Sequence, residues 1–195
     1  MKTFFIDIDM NLSNPTGIGA ISLVAKPAVE TDFVALSAEE TKQVLHLEFG
    51  EDEHIIKGIA MLADRPIYRY NEEIGEHYIV FTKEAIKKMM LKQSMQGKQN
   101  SVNLDHQPDG FVDCAFMIES YLIDRANGIA PVEFPEATDG SWVVSMKITD
   151  AELWDRVKNT RELNGFSIEG LFQYEEQQPK RSFIDEAIDE ILQND

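Results

Sequence analysis

The sequence predicts a mainly β protein with peripheral helices, of the α+β class. Apolar and polar residues alternate in several short segments, as they do in half-buried strands. Helical spacing of apolar residues appears in only three places, near residues 82–95, 149–157 and 183–192. The chain has 195 residues and is 43% hydrophobic, which is enough for one domain with a buried core. We therefore expect one domain over residues 1–176, followed by a linker and an acidic C-terminal helix over residues 177–195.

Strands are expected wherever an apolar or alternating segment is bounded by turn residues or by a proline. The first is residues 4–10, and residues 20–25 form the second, which ends before a proline. Residues 44–49 and 55–62 predict a hairpin, because an acidic turn joins them. Residues 111–123 are long and apolar and predict one buried strand. Shorter strands are expected at residues 67–70, 78–81, 101–106, 142–148 and 165–172.

Two helices inside the domain carry recognisable end signals. Thr82 can cap a helix that runs to about residue 95, and Gly97 ends it. Residues 149–152 read Thr-Asp-Ala-Glu, a capping box that opens a second, shorter helix. Between them, residues 124–140 form a long loop rich in glycine, proline and acids, and such length indicates function or mobility. Residues 37–42 are also compatible with a helix.

Composition excludes several function classes. The chain carries 18 basic and 35 acidic residues, a net charge of −17, so we expect no binding to the phosphate backbone of nucleic acids. Basic partners are favoured instead. No apolar run approaches the roughly 20 residues that span a bilayer, and the apolar start is too short for a signal peptide. The sequence predicts a soluble cytoplasmic protein without a membrane partner.

The residues that bind metals are too few and too scattered for a site. The four histidines, at positions 46, 54, 77 and 106, contain no pair with the helical spacing of a metal site. Cys114 is the single cysteine, and its apolar neighbours predict a buried structural thiol rather than a nucleophile. There is no glycine-rich phosphate loop. We expect no metal and no cofactor, and we expect the first three histidines to be solvated.

One strand carries a candidate nucleophile. In residues 165–170, Gly-Phe-Ser-Ile-Glu-Gly, strand periodicity places Phe166 and Ile168 on one face and Ser167 and Glu169 on the other. This arrangement suits a nucleophile beside a substrate strand, and it equally suits an ordinary strand with a polar outer face. A serine needs a base to become reactive. His106 is the candidate, because it ends a predicted strand just before a turn, although a surface histidine would look the same.

Three segments together resemble the phage prohead (head maturation) serine proteases, specifically the XkdF-like branch. The similarity spans about residues 18 to 172, and the string around Ser167 is its most specific part. The early stretch at residues 21–28 also fits that branch. The three segments are residues 64–69 with 75–78, the Asn-Leu-Asp-His of residues 103–106, and residues 142–148 through 165–170.

The resemblance implies an assemblin-like β-barrel, as in the herpesvirus proteases, with Ser167 as nucleophile and His106 as general base. It implies that the chain is a serine endopeptidase. The substrates would be the phage scaffold and the major capsid protein, cut inside the immature head in the host cytoplasm. A homodimer is expected by analogy with the herpesvirus enzymes.

The third catalytic residue is the open question. Glu169 shares a strand face with Ser167, about 6–7 Å along the strand, so it can approach the same histidine, although it can also be an outward charge. Other prohead proteases place an acid on a strand that ends in a Ser-x-Val-x-x-Pro-Ala-like motif. The similar stretch here has Ala20 at that position, which leaves Glu30, Asp32 or Glu119 as substitutes.

Two further features of the sequence each allow two interpretations. Lys180 and Arg181 follow the serine and suit either an oxyanion site or a solvated linker. The acidic tail helix suits a scaffold-binding handle or the remnant of a fused scaffold. The chain as a whole could also be a non-catalytic head component, derived from a protease and kept for binding.

Overall fold

The structure is a computed structural model that describes residues 1–25, 48–50 and 53–176. Several expectations lie outside these ranges. They are the helix-compatible residues 37–42, most of the strand at 44–49, the linker and tail helix of residues 177–195, and the side chains of Glu30, Asp32, Lys180 and Arg181.

The described residues form twelve strands and two α-helices, so the expected α+β class is confirmed. The α-helices are α1 (Lys83–Met95) and α2 (Ala151–Lys158), and a short 3₁₀ helix spans Arg125–Asn127. The strands are β1 (Lys2–Asp7), β2 (Gly17–Val24), β3 (Glu48–Gly50), β4 (Ile55–Met61), β5 (Pro66–Asn71), β6 (Gly75–Phe81), β7 (Val102–Leu104), β8 (Phe111–Val112), β9 (Ala115–Leu122), β10 (Trp142–Ile148), β11 (Gly165–Leu171) and β12 (Gln173–Glu176).

The strands of the described residues form three four-stranded sheets rather than the closed barrel that the resemblance implied, so that expectation is wrong. The first sheet has the order β12-β1-β6-β5, the second β3-β4-β10-β9 and the third β11-β2-β7-β8. Closure requires each edge strand to pair with another edge. The third sheet ends at β8, which is only two residues long and cannot carry a ladder onward.

One apolar core joins the three sheets and both helices. Its largest fully buried members include Trp142, Ile21, Ile56 and Ile86, which come from β10, β2, β4 and α1. A second, smaller cluster contains Phe134 and other side chains around Val143. The loop at residues 124–140 contributes to this cluster, so part of its length serves packing.

The segment at residues 111–123 is not the single buried strand that its composition predicts. The chain forms β8, breaks at Asp113 and Cys114, and continues as β9. Among the described strands, β9 lies at an edge of the second sheet and pairs with β10, with a register shift at Ile118. Phe116 and Ile118 are exposed. Apolar composition alone cannot distinguish a central strand from such an edge.

The helix ends follow local chemistry. The Thr82 hydroxyl accepts a hydrogen bond from the Ala85 N–H at 3.1 Å, as predicted for α1. At α2, however, the cap is Asp150 rather than Thr149, one residue later than the expected capping box. The Asp150 carboxylate accepts from the Leu153 N–H at 2.8 Å. A carboxylate at this position also interacts favourably with the helix dipole, which explains why it is preferred over the threonine.

Two polar side chains are buried for structural reasons. His77 lies on β6 with 2% exposure, against Phe4, so the expectation that it is solvated is wrong. Lys92 of α1 is fully buried, and its ammonium group donates to the carbonyls of Asp9 and Asn14. This contact anchors the β1–β2 connection to the helix.

Neither helix among the residues described above is long and apolar enough to cross a membrane.

The two candidate caps of α2 can be separated by mutation. Asp150→Ala should lower the free energy of unfolding by about 1 kcal/mol, because the Leu153 N–H loses its acceptor. Thr149→Ala should cost clearly less, since its exposed hydroxyl donates only to the Cys114 carbonyl. Urea denaturation of both variants measures the difference. A larger loss for Thr149→Ala would contradict the assignment of the cap.

Candidate active site

The antiparallel pairing of β2 with β11 sets the face on which the site is built. Ser22 lies directly opposite Ser167, and Ala20 lies opposite Glu169. Directly opposed residues project to the same side of a sheet, as do residues two apart on one strand. Ser22, Ser167 and Glu169 therefore share one face, while Phe166 projects to the other side, into the core.

The turn that follows β7 brings His106 to this face. Asp105 and His106 both have positive φ angles, +47° and +57°. Such angles cost roughly 1–3 kcal/mol each for residues other than glycine and persist only when surrounding bonds enforce them. Here the Asp105 N–H donates to the Leu23 carbonyl at 2.9 Å, and its carboxylate accepts from the Ala25 N–H at 2.8 Å. The His106 N–H donates to Oδ1 of Asn103 at 3.1 Å.

Four side chains meet in one hydrogen-bonded cluster. Nδ1 of His106 lies 2.8 Å from Oε1 of Glu169. The Ser22 hydroxyl lies 2.5 Å from the same carboxylate oxygen, 3.2 Å from Nδ1 of His106 and 2.7 Å from Oδ1 of Asn103. Asn103 lies beside Ser22 on β7, and its Nδ2 donates to the Gln107 carbonyl at 2.9 Å. We name this set, Ser22, Asn103, His106 and Glu169, the polar cluster.

The bonds of Asn103 and Glu169 indicate where the protons of the cluster lie. Asn103 is oriented by its bonds to main-chain groups, so its Oδ1 faces Ser22 as an acceptor. An ionised Glu169 has only acceptors, so the Nδ1 of His106 must carry the proton between them. In that tautomer the other ring nitrogen, Nε2, has the free lone pair that a general base needs. The carboxylate thus selects the tautomer of the histidine.

Ser22 and Ser167 lie side by side but are not equivalent. Ser22 is fully buried and contacts the histidine at Nδ1, the nitrogen that Glu169 already occupies. Ser167 is 9% exposed and lines a cavity. Its Cβ is about 4.5–5.5 Å from that of Ser22, the usual distance of opposed residues. In the part of the chain that the structure describes, no hydrogen bond joins Ser167 to His106, and such bonds often form only once substrate is bound.

The resemblance implied an acid at position 20, and the carboxylate that contacts His106 lies on the neighbouring strand. Glu169 is the direct cross-strand partner of Ala20, and its carboxylate reaches the ring of His106.

Glu119, another candidate acid, lies elsewhere, on β9 of the second sheet. It accepts a hydrogen bond from Ser145 and lies 3.5 Å from Lys57. These two contacts hold the pKa of the Glu119 carboxyl below its ordinary value, the hydroxyl contributing more.

Sequence reasoning missed two members of the cluster, Ser22 and Asn103. A signal for Ser22 was present, because it lies two residues after Ala20 and strand periodicity places both on one face. Asn103 had no comparable signal. Its role depends on the parallel pairing of β2 with β7, and periodicity along a single strand does not reveal which strands pair.

A cavity of about 270 Å³ adjoins β11. Residues 166–168 form one wall, and the other walls come from β1, β4, β5, β6 and the segment that leads into β12. The side chains of its lining are apolar apart from those of Ser167, Arg69 and Tyr174.

No cluster of histidine, cysteine and acidic side chains suited to a metal ion occurs within residues 1–25 and 53–176.

Together, the fold and the site define a β-rich protein in which neighbouring strands bring a serine, a histidine and a glutamate together. The family described as "Putative phage serine protease XkdF" matches residues 43–176, and the chain belongs to this family. The resemblance to the XkdF-like phage serine proteases is thereby confirmed, whereas the relationship to the herpesvirus assemblins stays a prediction. Neither the curated proteins nor the solved structures gave a match.

Cys114 is partly buried rather than fully buried as its apolar neighbours predict. Burial raises the pKa of its thiol, with a further increase from the charges of Asp150 and Asp113. Iodoacetamide should therefore react slowly at pH 7.5, and the rate should rise about tenfold per pH unit through pH 9 because only the thiolate reacts. Mass spectrometry of the alkylated chain measures this rate. Fast labelling that is already complete and pH-independent near pH 7 would contradict it.

Proposed function

We propose that this protein is a serine endopeptidase of prohead maturation that cleaves the phage scaffold and the major capsid protein inside the immature head. In this proposal Ser167 is the nucleophile, His106 is the general base and Glu169 orients the histidine. The observation that carries the proposal is the 2.8 Å contact between His106 and Glu169, two residues along the strand from Ser167. It supplies the base that a lone serine lacks.

The geometry supports the following reaction. The Ser167 oxygen attacks the carbonyl carbon of the peptide bond as its proton passes to Nε2 of His106. Glu169 stabilises the resulting imidazolium through Nδ1. The imidazolium then protonates the leaving amine nitrogen, which breaks the C–N bond and leaves an acyl-serine ester. Water hydrolyses this ester with the same histidine as base, and the serine recovers its proton.

The choice of substrates rests on the family and on charge. A protease encoded by a phage is expected to meet the phage's own structural proteins during assembly. The net charge of −17 favours basic segments over acidic ones in its partners. A homodimer remains part of the proposal only by analogy with the herpesvirus enzymes.

A second candidate function is a non-catalytic head or scaffold-binding protein derived from a protease. The observation that favours it is the absence, among the described residues, of a hydrogen bond between Ser167 and His106. Under this alternative the polar cluster serves stability alone, and processing of the phage proteins does not depend on Ser167.

Substitutions in the site decide between the two functions. Ser167→Ala and His106→Gln should each lower cleavage by on the order of 10⁶-fold, and Glu169→Gln should lower it by about 10⁴-fold. The measurement is co-expression with the scaffold and major capsid proteins, followed by mass spectrometry of the fragments. Discrete fragments that vanish in Ser167→Ala support catalysis. Unchanged processing in Ser167→Ala and His106→Gln would overturn it.

The second sheet offers matched controls for these variants. Ser145 and Glu119 form a partly buried serine–glutamate contact between β10 and β9, similar to that of Ser22 and Glu169. Ser145→Ala and Glu119→Gln should leave cleavage within about twofold of the unmodified chain, because neither residue lies near His106. A fluorophosphonate probe provides a readout without any peptide substrate, and we expect it to label Ser167 and not Ser22. Labelling at Ser22 would show that the nucleophile is misassigned.

Ser22 should act as a positioning residue. Ser22→Ala removes the hydroxyl that lies between Asn103, Glu169 and His106, and the loosened histidine should lower kcat by about 10²-fold. Ser145→Ala should cost a similar free energy of unfolding, about 1–3 kcal/mol, because it also leaves a partly buried acceptor without its donor. Cleavage assays and urea denaturation of both variants separate the two effects. Equal cleavage by both variants would show that the role of Ser22 is only structural.

A further inference from the structure

We propose that the cavity beside β11 binds a large apolar side chain of the peptide substrate, such as that of leucine, isoleucine, methionine or phenylalanine. The inference deepens the proposed function, because it rests on Ser167 as the nucleophile. It assigns a substrate class that the family match does not provide.

The walls of the cavity determine which side chains it accepts. Its volume of about 270 Å³ is close to the lower end for ligand pockets and is large enough for one bulky side chain. Aliphatic and aromatic side chains dominate the lining, among them Leu62, Ile67, Ile79, Phe81 and Phe172. An acidic or amide side chain placed there would lose its hydration without gaining enough partners. A small side chain would leave most of the space unfilled.

Arg69 is the only charged residue of the lining. Its guanidinium donates to the carbonyl of Tyr68 at 2.8 Å, so part of its donor capacity serves the protein's own main chain. Tyr174 is half exposed and marks the side on which the cavity opens to solvent. The cavity surface is therefore a mixture of polar and apolar atoms, and aliphatic and aromatic side chains supply its apolar part.

The backbone of β11 explains how a substrate side chain would reach the cavity. The Ile21 N–H and the Leu23 carbonyl both bond to the β7 side of β2. Because backbone groups alternate along a strand, Ser22 bonds toward β11, and its partner Ser167 bonds back toward β2. Phe166 and Ile168 therefore direct their N–H and carbonyl groups away from β2, toward the edge of β11 that has no paired strand among the described residues. Phe166 and Ser167 are only 4% and 9% exposed, so this edge faces the cavity rather than open solvent.

Main-chain groups at an unpaired strand edge can hydrogen-bond a peptide. A substrate residue beside the scissile bond that places its side chain in the cavity would meet those of Phe166 and Ile168, with Ser167 between them. Both the nucleophile and the specificity pocket would thus depend on the same three residues of β11.

Two isoleucines of the β5–β6 hairpin provide a matched pair of variants. Ile67 lines the cavity, whereas Ile74 lies in the hairpin turn and does not. In a peptide library digested by the unmodified chain, we expect large apolar residues to be enriched at one position near the cleaved bond. Ile67→Phe should lower cleavage of those peptides by tenfold or more, relative to cleavage of peptides with alanine at the same position. The reason is that a pocket too small by one methylene group changes kcat/KM by about 10–200-fold. Ile74→Phe should leave the preference unchanged.

A binding measurement separates this inference from the proposed function. In the Ser167→Ala chain, N-acetyl-leucine amide should shift the methyl NMR signals of Leu62, Ile79 and Ile168, and N-acetyl-aspartate amide should not. Ile67→Phe should weaken the leucine effect at least fivefold. If no peptide is cleaved but the leucine derivative still binds in this way, the endopeptidase function fails and the cavity assignment stands. Equal effects of both derivatives, or cleavage with an unchanged preference in Ile67→Phe, would overturn the cavity assignment.

Discussion

The register in which β2 pairs with β11 is the constraint on which the site depends. With Ser22 opposite Ser167, the carboxylate of Glu169 lies on the face that His106 covers. A slip of one residue would turn every side chain of β11 to the opposite face. Glu169 would then point into the core and Phe166 into solvent. Burial of Phe166 on one face therefore holds Ser167 and Glu169 on the other, and the apolar core indirectly fixes the geometry of the polar cluster.

The polar cluster and its counterpart on the second sheet share a serine–glutamate contact but differ in their third partner. In both, a buried serine bonds to a glutamate across two strands. Beside Ser145, however, the third partner is Lys57 rather than a histidine. Burial by itself would lower the pKa of Lys57, but the charges of Glu119 and Glu133 outweigh it and raise the pKa above its ordinary value. An ammonium ion has no lone pair with which to accept a proton, so the charged Lys57 cannot act as a base.

Sequence periodicity captured the features that are local to one strand or one helix. The alternation along residues 165–170 placed Ser167 and Glu169 on one face, and Thr82 capped α1 as its position predicts. What it did not capture depends on which strands are neighbours. His77 follows a glycine and a glutamate in the sequence, yet it is buried because β6 is a central strand between β1 and β5. The separation of β8 from β9 within residues 111–123 has the same kind of cause.

The position of Glu169 shows how strand pairing can bring a carboxylate to a histidine where the sequence motif has no acid. The resemblance implied a carboxylate at position 20, and the chain has alanine there. Opposed residues on antiparallel strands have Cβ atoms about 4.5–5.5 Å apart, a distance that a glutamate side chain can span. Glu169, opposite Ala20, can thus reach the same ring nitrogen from β11 that a carboxylate on β2 would reach. The small side chain of Ala20 leaves room for this approach. A histidine partner is therefore better sought among cross-strand neighbours than at a fixed sequence position.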